Sequence, residues 1–139
     1  QRMVDEGVMS FKPFVHADCG GNGIPPVPTF LRWVQHCIFG AIVRFHAGDL
    51  PPGDHRFWLY DDATQATIRR YLQLRARLAP GLIAAGREAS LSGFPLVARC
   101  DLFWPEHPEA RSNLQYVFLN DTLVAPIYGN DTLPFSPQA

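Results

Sequence analysis

Pro-Phe-Val-His-Ala-Asp-Cys-Gly-Gly occupies residues 13–21, and Arg-Phe-His follows at residues 44–46. The mostly apolar residues 11–17 and 41–45 predict two short strands that are buried on both faces, each followed by polar groups. Apolar residues at helical spacing predict a helix over residues 29–39, between the two strands. The order is therefore strand, loop, helix, strand. In parallel α/β folds ligands bind at the carboxyl ends of strands, so these polar groups could converge on one ligand.

The remaining elements are predicted from periodicity and from turn residues. Thr29 is the expected N-cap of the first helix. A longer helix is expected over residues 64–88, with a kink or break near Pro80. Three further strands are predicted at residues 95–102, 114–119 and 122–128. The last two are expected to form a hairpin around Asn120 and Asp121.

The order of motifs resembles glycoside hydrolase family 31, the α-glucosidase-like enzymes. The motifs that carry the resemblance are Asp-Cys-Gly-Gly at residues 18–21, Arg-Trp-Val-Gln at 32–35, Arg-Phe-His at 44–46, Leu-Arg-Ala-Arg-Leu-Ala-Pro at 74–80, Gly-Phe-Pro-Leu-Val-Ala-Arg at 93–99 and Asn-Asp-Thr-Leu-Val-Ala-Pro at 120–126. Each motif alone is a weak signal. Their shared order across most of residues 9–128 is more specific.

The resemblance implies an α/β fold class: the last strands and helices of a TIM (β/α)8 barrel, followed by the first strands of a β-sandwich domain. Residues 1–92 would form the C-terminal portion of the barrel. Residues 93–139 would form the start of the β-sandwich-like domain and a linker. Because two parallel strands cannot close an eight-stranded barrel, we expect the chain to be a fragment of a larger unit.

Asp18, Arg44 and His46 are the candidate substrate-binding residues. A carboxylate after a buried strand can accept two sugar hydroxyls, although it could instead cap its loop through backbone amides. Neutral imidazole can exchange one hydrogen bond with a hydroxyl, although a structural role is common for a lone histidine. The resemblance implies that Asp18 and His46 lie at the sugar subsite. Arg44 is expected to pair with a carboxylate, for which Asp18 is a candidate.

Catalysis is not expected from this segment alone. Retaining glycosidases need a nucleophile and a general acid/base, both carboxylates, and the resemblance implies that both precede the segment. Asp5 and Glu6 match neither motif, so no catalytic residue is assigned, and no cofactor or metal is implied. Asn22 and Ala47 replace the phenylalanine and asparagine that are usual in the family.

Three interpretations stay open. The chain is part of an α-glycosidase, or it is a degenerate, non-catalytic relative that binds carbohydrate or serves as a scaffold subunit, or it is an unrelated α/β module. A two-histidine, one-carboxylate metal site at His16, Asp18 and His46 is a further alternative. Trp58 is the best candidate for stacking on a sugar at the surface, whereas Trp33 is expected in the core.

Composition limits the partners. The formal net charge of −1 argues against nucleic-acid binding, and no apolar run is long enough to span a membrane. The expected partners are a carbohydrate of the α-glucoside type and the remainder of the barrel or other subunits. Cys19, Cys37 and Cys100 are expected to be buried and unpaired. Sequons at Asn120 and Asn130 mark possible glycosylation and favour a secretory or extracellular location.

Overall fold

The computed structural model describes residues 12–20, 25–46, 55–112 and 114–127. Within these ranges the chain forms helices α1 (Val27–Cys37) and α2 (Asp62–Ser92) and the strands β1 (Val97–Arg99), β2 (Tyr116–Phe118) and β3 (Thr122–Val124). Short 3-10 helices lie at Phe57–Leu59, Cys100–Leu102 and Pro108–Arg111. In the part of the chain that the structure describes, neither α-helix has the length and apolar character needed to cross a bilayer.

Helix α1 begins two residues earlier than expected and ends two residues earlier. Its N-cap is Pro26, which makes no side-chain cap, so the expectation that Thr29 caps the helix is wrong. Pro28 explains the earlier start, because proline lacks an amide hydrogen and its fixed φ suits the first helical turn. Phe30 and Val34 lie on the buried face of the helix.

Helix α2 runs unbroken for 31 residues and confirms the longer predicted helix. Its N-cap is Asp61, whose carboxylate accepts a hydrogen bond from the Thr64 amide at 3.0 Å. Pro80 lies inside the helix without ending it, so the break that was one of the two expected outcomes at this position does not occur. The proline is exposed, so the ring does not disturb the packed side of the helix. The helix ends at Gly93, whose φ of 77° provides the left-handed C-cap.

Arg75 ties α2 to the end of α1. Its guanidinium donates hydrogen bonds to the carbonyl oxygens of Ile38, Gly40 and Ala41 at 2.8, 2.6 and 2.8 Å. The carbonyls after a helix have no partner within the helix, and these three are satisfied by one side chain. The guanidinium carbon also lies 6.0 Å from the centre of the Phe118 ring. Arg75 therefore fixes the path of the chain that leads from α1 towards residue 44.

The three strands form one antiparallel sheet in the order β1-β2-β3. Val97 pairs with Phe118, and Tyr116 pairs with Val124, which confirms the predicted hairpin. Leu119 has a φ of 55° and Asn120 a φ of 69° in the turn between β2 and β3. Strand β1 is shorter than residues 95–102, because the chain turns into a 3-10 helix at Cys100.

Two of the three apolar clusters in the described residues join the helices to each other and to the sheet. One contains Phe30, Val34, Ile38 and Ile68 and joins α1 to α2. The other contains Val15, Val97, Tyr116, Phe118 and Val124, with Leu78 and Leu82 of α2 packed against it. The segment at residues 12–20 therefore packs against the sheet and α2.

The two predicted parallel strands are not regular strands in the described residues. Cys19 and Phe45 form an isolated parallel bridge, but residues 12–18 and 41–44 make no ladder, and residue 11 lies outside the described ranges. The backbone of this segment bonds elsewhere, since the Pro13 carbonyl accepts from the Leu96 amide at 3.3 Å. Pro13 also has no amide hydrogen with which to extend a ladder. The parallel direction was predicted correctly, whereas the strand lengths were wrong.

Candidate functional site

The two segments that carry the candidate site residues lie side by side. The Cys19 amide donates to the Arg44 carbonyl at 2.8 Å, and Cys19 pairs in parallel with Phe45. This bridge places Asp18 and Arg44 next to each other at the ends of two neighbouring segments. The sequence alone predicted this juxtaposition from the order of elements.

Asp18 lies between two cationic or potentially cationic side chains. Its Oδ1 is 3.5 Å from Nε of Arg44 and 3.6 Å from Nδ1 of His16. These separations are ion-pair distances but long for hydrogen bonds. The side chains of Asp18, Arg44 and His16 are 36%, 50% and 29% exposed. The predicted pairing of Arg44 with Asp18 is therefore confirmed, and its exposure makes it a weak contributor to stability.

Asp18 Oδ1 has capacity for a further hydrogen bond. The atom is buried and makes no hydrogen bond with the described residues, and the same holds for His16 Nδ1. Buried polar atoms usually have partners, so such an atom needs an explanation. An ionised carboxylate accepts at both oxygens, which suits a ligand that presents hydroxyl groups.

His46 has its backbone fixed and its side chain exposed. Its carbonyl oxygen lies 2.7 Å from Nδ1 of His55, and this contact holds the end of the second segment. That the His46 and Asp18 side chains share one cavity stays a prediction. Among the described residues, no group of three or more histidine, cysteine or acidic side chains could hold a metal ion, so His16, Asp18 and His46 do not form the alternative metal site.

A disulfide bond joins Cys19 to Cys37, which corrects the expectation of three unpaired cysteines. The Cα atoms are 6.0 Å apart, and the bond links the residue after Asp18 to the last residue of α1. Three cysteines allow three pairings, so the sequence did not specify this one. Cys100 is free and buried, and burial raises the pKa of its thiol.

The structure also identifies a contact residue that the sequence reasoning missed. His55 is 2% exposed and touches both site segments, through the His46 carbonyl and through the backbone at Gly20. It follows a stretch of sequence rich in glycine and proline and belongs to no periodic pattern. No signal in the sequence distinguished His55 from a surface histidine.

The expectation that Trp58 lies at the surface is confirmed, whereas the expectation that Trp33 lies in the core is wrong. Trp58 is 57% exposed in the 3-10 helix Phe57–Leu59, and Trp33 is partly buried on α1. Trp104 is 44% exposed and lies against Phe103. Stacking of Trp58 on a sugar stays a prediction.

Five residues named in the sequence analysis fall outside the described ranges: Asp5, Glu6, Asn22, Ala47 and Asn130. Asn120 is exposed in the turn between β2 and β3.

Comparisons with known proteins point to one family. The model of the glycosyl hydrolases family 31 TIM-barrel domain matches residues 2–85. An α-xylosidase of Emericella nidulans is 28% identical over 123 residues, which are 85% of this chain and 15% of the relative. The glucosidase 2 subunit alpha of Saccharomyces cerevisiae is 30% identical over 98 residues, which are 70% of this chain and 10% of the relative. The chain thus spans a small part of the length of these relatives.

Solved structures agree with the family model. The cycloalternan-forming enzyme of Listeria monocytogenes, in complex with a pentasaccharide substrate, superposes with a TM-score of 0.84 at 25% identity. The match covers 91% of this chain and 13% of that enzyme. Other structural neighbours are complexes with xylose or glucose.

Proposed function

Because this chain belongs to glycoside hydrolase family 31, we propose that residues 16–20 and 44–46 form part of the sugar-binding subsite of a retaining α-glycosidase. The observation that carries the proposal is the carboxylate of Asp18, placed beside Arg44 by the parallel bridge, with a buried oxygen that makes no hydrogen bond with the described residues. In this proposal Asp18 and His46 bind sugar hydroxyls. Arg44 forms an ion pair with the Asp18 carboxylate and thereby orients it.

The chemistry of hydrolysis then comes from outside this segment. A retaining glycosidase uses one carboxylate as nucleophile and a second as general acid/base, about 5–5.5 Å apart. We assign neither role to a residue of this chain. The segment supplies the binding of the sugar that precedes the chemical step, and it does not hydrolyse a glycoside alone.

A second candidate function follows from two substitutions in the sequence. Asn22 and Ala47 stand where the family usually has phenylalanine and asparagine, which removes an apolar wall and one polar group from the expected pocket. These changes favour a non-catalytic relative that binds carbohydrate or serves as a scaffold subunit. Asn22→Phe separates the two functions, because a surviving pocket tolerates the ring and binds a glucoside at least as tightly.

The proposed ligand is a neutral α-glycoside of the glucoside or xyloside type. Support comes from the names of the two relatives, an α-xylosidase and a glucosidase subunit. A neutral ligand gains little from long-range charge attraction, so its affinity should change little between low and physiological salt. The further proposed partner is the remainder of the barrel, on the same polypeptide or on another subunit.

We also propose that residues 1–92 belong to the barrel and residues 93–139 to the start of a β-sandwich-like domain. The left-handed C-cap at Gly93, after which β1 begins at Val97, supports this division. A limited proteolysis experiment on the intact protein tests it. Primary cleavage within α2, rather than at the segment around Gly93, would contradict the boundary.

A secretory or extracellular location is proposed on two observations. Disulfides persist in oxidising compartments, and Cys19 is joined to Cys37. The sequon at Asn120 lies in an exposed turn, and a second sequon is present at Asn130. Protein from its native host should lose mass on treatment with an N-glycanase, and Asn120→Gln should remove part of that loss. Unmodified asparagine at both positions would contradict the location.

The sugar site is tested by calorimetry on the intact protein, meaning the full polypeptide that carries this segment, with a panel of α-glucosides and α-xylosides. Asp18→Ala and His46→Ala should each weaken binding by roughly 1–3 kcal/mol, since each removes one or two hydrogen bonds. Asp121→Ala removes an exposed carboxylate from the hairpin turn and serves as the matched control. Absence of binding at millimolar sugar would reject the proposal and leave a structural role.

A further inference from the structure

The strongest unassigned feature is the buried ring of His55. It is 2% exposed, and its Nδ1 lies 2.7 Å from the carbonyl oxygen of His46. A carbonyl oxygen can only accept a hydrogen bond, so Nδ1 carries the proton and donates it. The imidazole therefore holds the backbone at the end of the segment that carries Arg44 and His46.

The opposite segment touches the same ring through its backbone. A Cβ atom built on Gly20 would lie 2.8 Å from Cγ, Cδ2 and Nε2 of His55, closer than real side-chain contacts. Gly20 also has a φ of 97°, which only glycine adopts readily. The ring is thus packed against the backbone two residues after Asp18.

Helix α1 holds the ring from a third direction. His55 stacks on Phe30, with ring centroids 5.8 Å apart and an interplanar angle of 25°. Phe30 is fully buried in the cluster that joins α1 to α2. Because Phe30 cannot shift without disturbing that cluster, the His55 ring has a fixed place relative to both site segments.

We propose that His55 is a positioning residue of the sugar subsite, setting the separation between the Asp18 and His46 segments. The inference rests on the proposed function for the identity of the ligand. His55 acts through the His46 carbonyl and the Gly20 backbone, and it does not touch the sugar. A disulfide at Cys19 fixes the first segment to α1. His55 adds a buried contact between the two segments to their backbone bridge and to the half-exposed Asp18–Arg44 ion pair.

Three variants of the intact protein separate positioning from packing. His55→Leu removes the donor and keeps an apolar side chain. His55→Asn keeps an amide donor close to the position of Nδ1 and lacks the ring. Tyr60→Leu is the matched control, because Tyr60 also stacks on Phe30, with centroids 4.8 Å apart, and its backbone carbonyl, which accepts a hydrogen bond from Gln65, is kept in the variant.

Two measurements are made on each variant. Calorimetry with the tightest α-glycoside should show about fivefold to tenfold weaker binding for His55→Leu, the effect of one lost hydrogen bond. His55→Asn should recover most of that loss, and Tyr60→Leu should bind like the wild type despite a lower melting temperature. Hydrogen exchange should be faster in peptides that contain the Cys19 amide for His55→Leu, and near wild type for the other two variants.

Several results would overturn the inference. Wild-type binding and exchange in His55→Leu would do so, and so would a His55→Asn variant as weak as His55→Leu. A loss of sugar affinity in Tyr60→Leu equal to that in His55→Leu would show that His55 acts only through packing. Absence of sugar binding by the wild-type protein would instead reject the proposed function, and the exchange rates would still decide whether His55 holds the two segments together.

Discussion

At the scale of single residues, the structure gives Arg75 a role as a hydrogen-bond donor to the end of α1. It stood in the sequence as part of Leu-Arg-Ala-Arg-Leu-Ala-Pro, with no role assigned to it. In the structure its guanidinium satisfies three carbonyl oxygens after α1 and lies beside Phe118. Partial burial lowers the pKa of Arg75, and the guanidinium remains charged at neutral pH.

Arg75→Ala should destabilise the intact protein by about 2–3 kcal/mol, because hydrogen bonds to a charged donor are lost and buried carbonyls are left without partners. Arg75→Lys should recover part of this, since an ammonium cannot reach three carbonyls with the same fork geometry. Urea unfolding measures both. The control is Arg77→Ala, an exposed arginine two residues along the same helix, which should change stability by less than about 0.5 kcal/mol. Equal effects at the two positions would contradict the capping role.

His36 makes the stability dependent on pH. Burial lowers the pKa of His36 from 6.5 to about 4, and this outweighs the helix C-terminus, which would favour the charged form. Its Nδ1 lies 3.4 Å from the Tyr116 hydroxyl, which donates to the Phe39 carbonyl at 3.2 Å. The histidine thus joins the end of α1 to β2 in its neutral form.

The sign of the pH effect follows from the depressed pKa. Between about pH 4 and 6.5 the unfolded chain binds a proton at His36 and the folded chain does not, so stability falls as the pH is lowered through this window. The loss due to His36 should reach about 3 kcal/mol once the pH is near 4. Stability measured at several pH values in wild type and His36→Gln should show a flatter curve for the variant. Parallel curves for wild type and His36→Gln would contradict the assignment.

At the scale of elements, the cost of backbone strain at a positive φ can be measured separately from the cost of steric overlap. Gly20 and Gly93 both have positive φ, but a Cβ on Gly20 would overlap the His55 ring, whereas none of the described atoms lies within 4 Å of one on Gly93. Gly93→Ala should cost about 1–2 kcal/mol from strain alone. Gly20→Ala should cost about 2–4 kcal/mol, because overlap is added to strain. Chemical unfolding compares them, and equal costs would show that the His55 ring moves freely.

Predictability from the sequence also differed between elements. Phe30 and Val34 repeat at helical spacing and predict helix α1. The expected start at Thr29 is too late, because Pro28 fits within the first helical turn. Residues 11–17 and 41–45 were predicted as strands from apolarity alone. Apolarity indicates burial, and it does not specify which backbone partners a segment finds. Asp18 and Arg44 could be placed together from the order of elements, whereas the Cys19–Cys37 bond and the contact of His55 depend on three-dimensional packing.

At the scale of the whole molecule, the described segment leaves apolar side chains without cover. The exposed large apolar residues include Phe14, Ile42, Trp58, Leu59, Ile83 and Leu91. Large apolar side chains that are exposed in this way are typical of a surface that packs against further protein.

The 139-residue chain expressed alone should therefore be poorly soluble or partly unfolded. Sedimentation velocity and a calorimetric melt measure this directly. Binding of an apolar dye, compared with the intact protein, serves as the control for exposed surface. A monomer with a sharp cooperative melt would contradict the expectation, and would show that the segment folds as an independent domain.

A crystal structure of the intact protein with a bound α-glycoside tests whether Asp18 and His46 bind sugar hydroxyls in one subsite. A carboxylate oxygen of Asp18 should lie within about 2.5–3.0 Å of a sugar hydroxyl, and a ring nitrogen of His46 within about 2.7–3.2 Å of another. Arg44 should stay beside Asp18 without touching the sugar. A sugar bound elsewhere, with neither side chain within hydrogen-bonding distance of it, would contradict the claim.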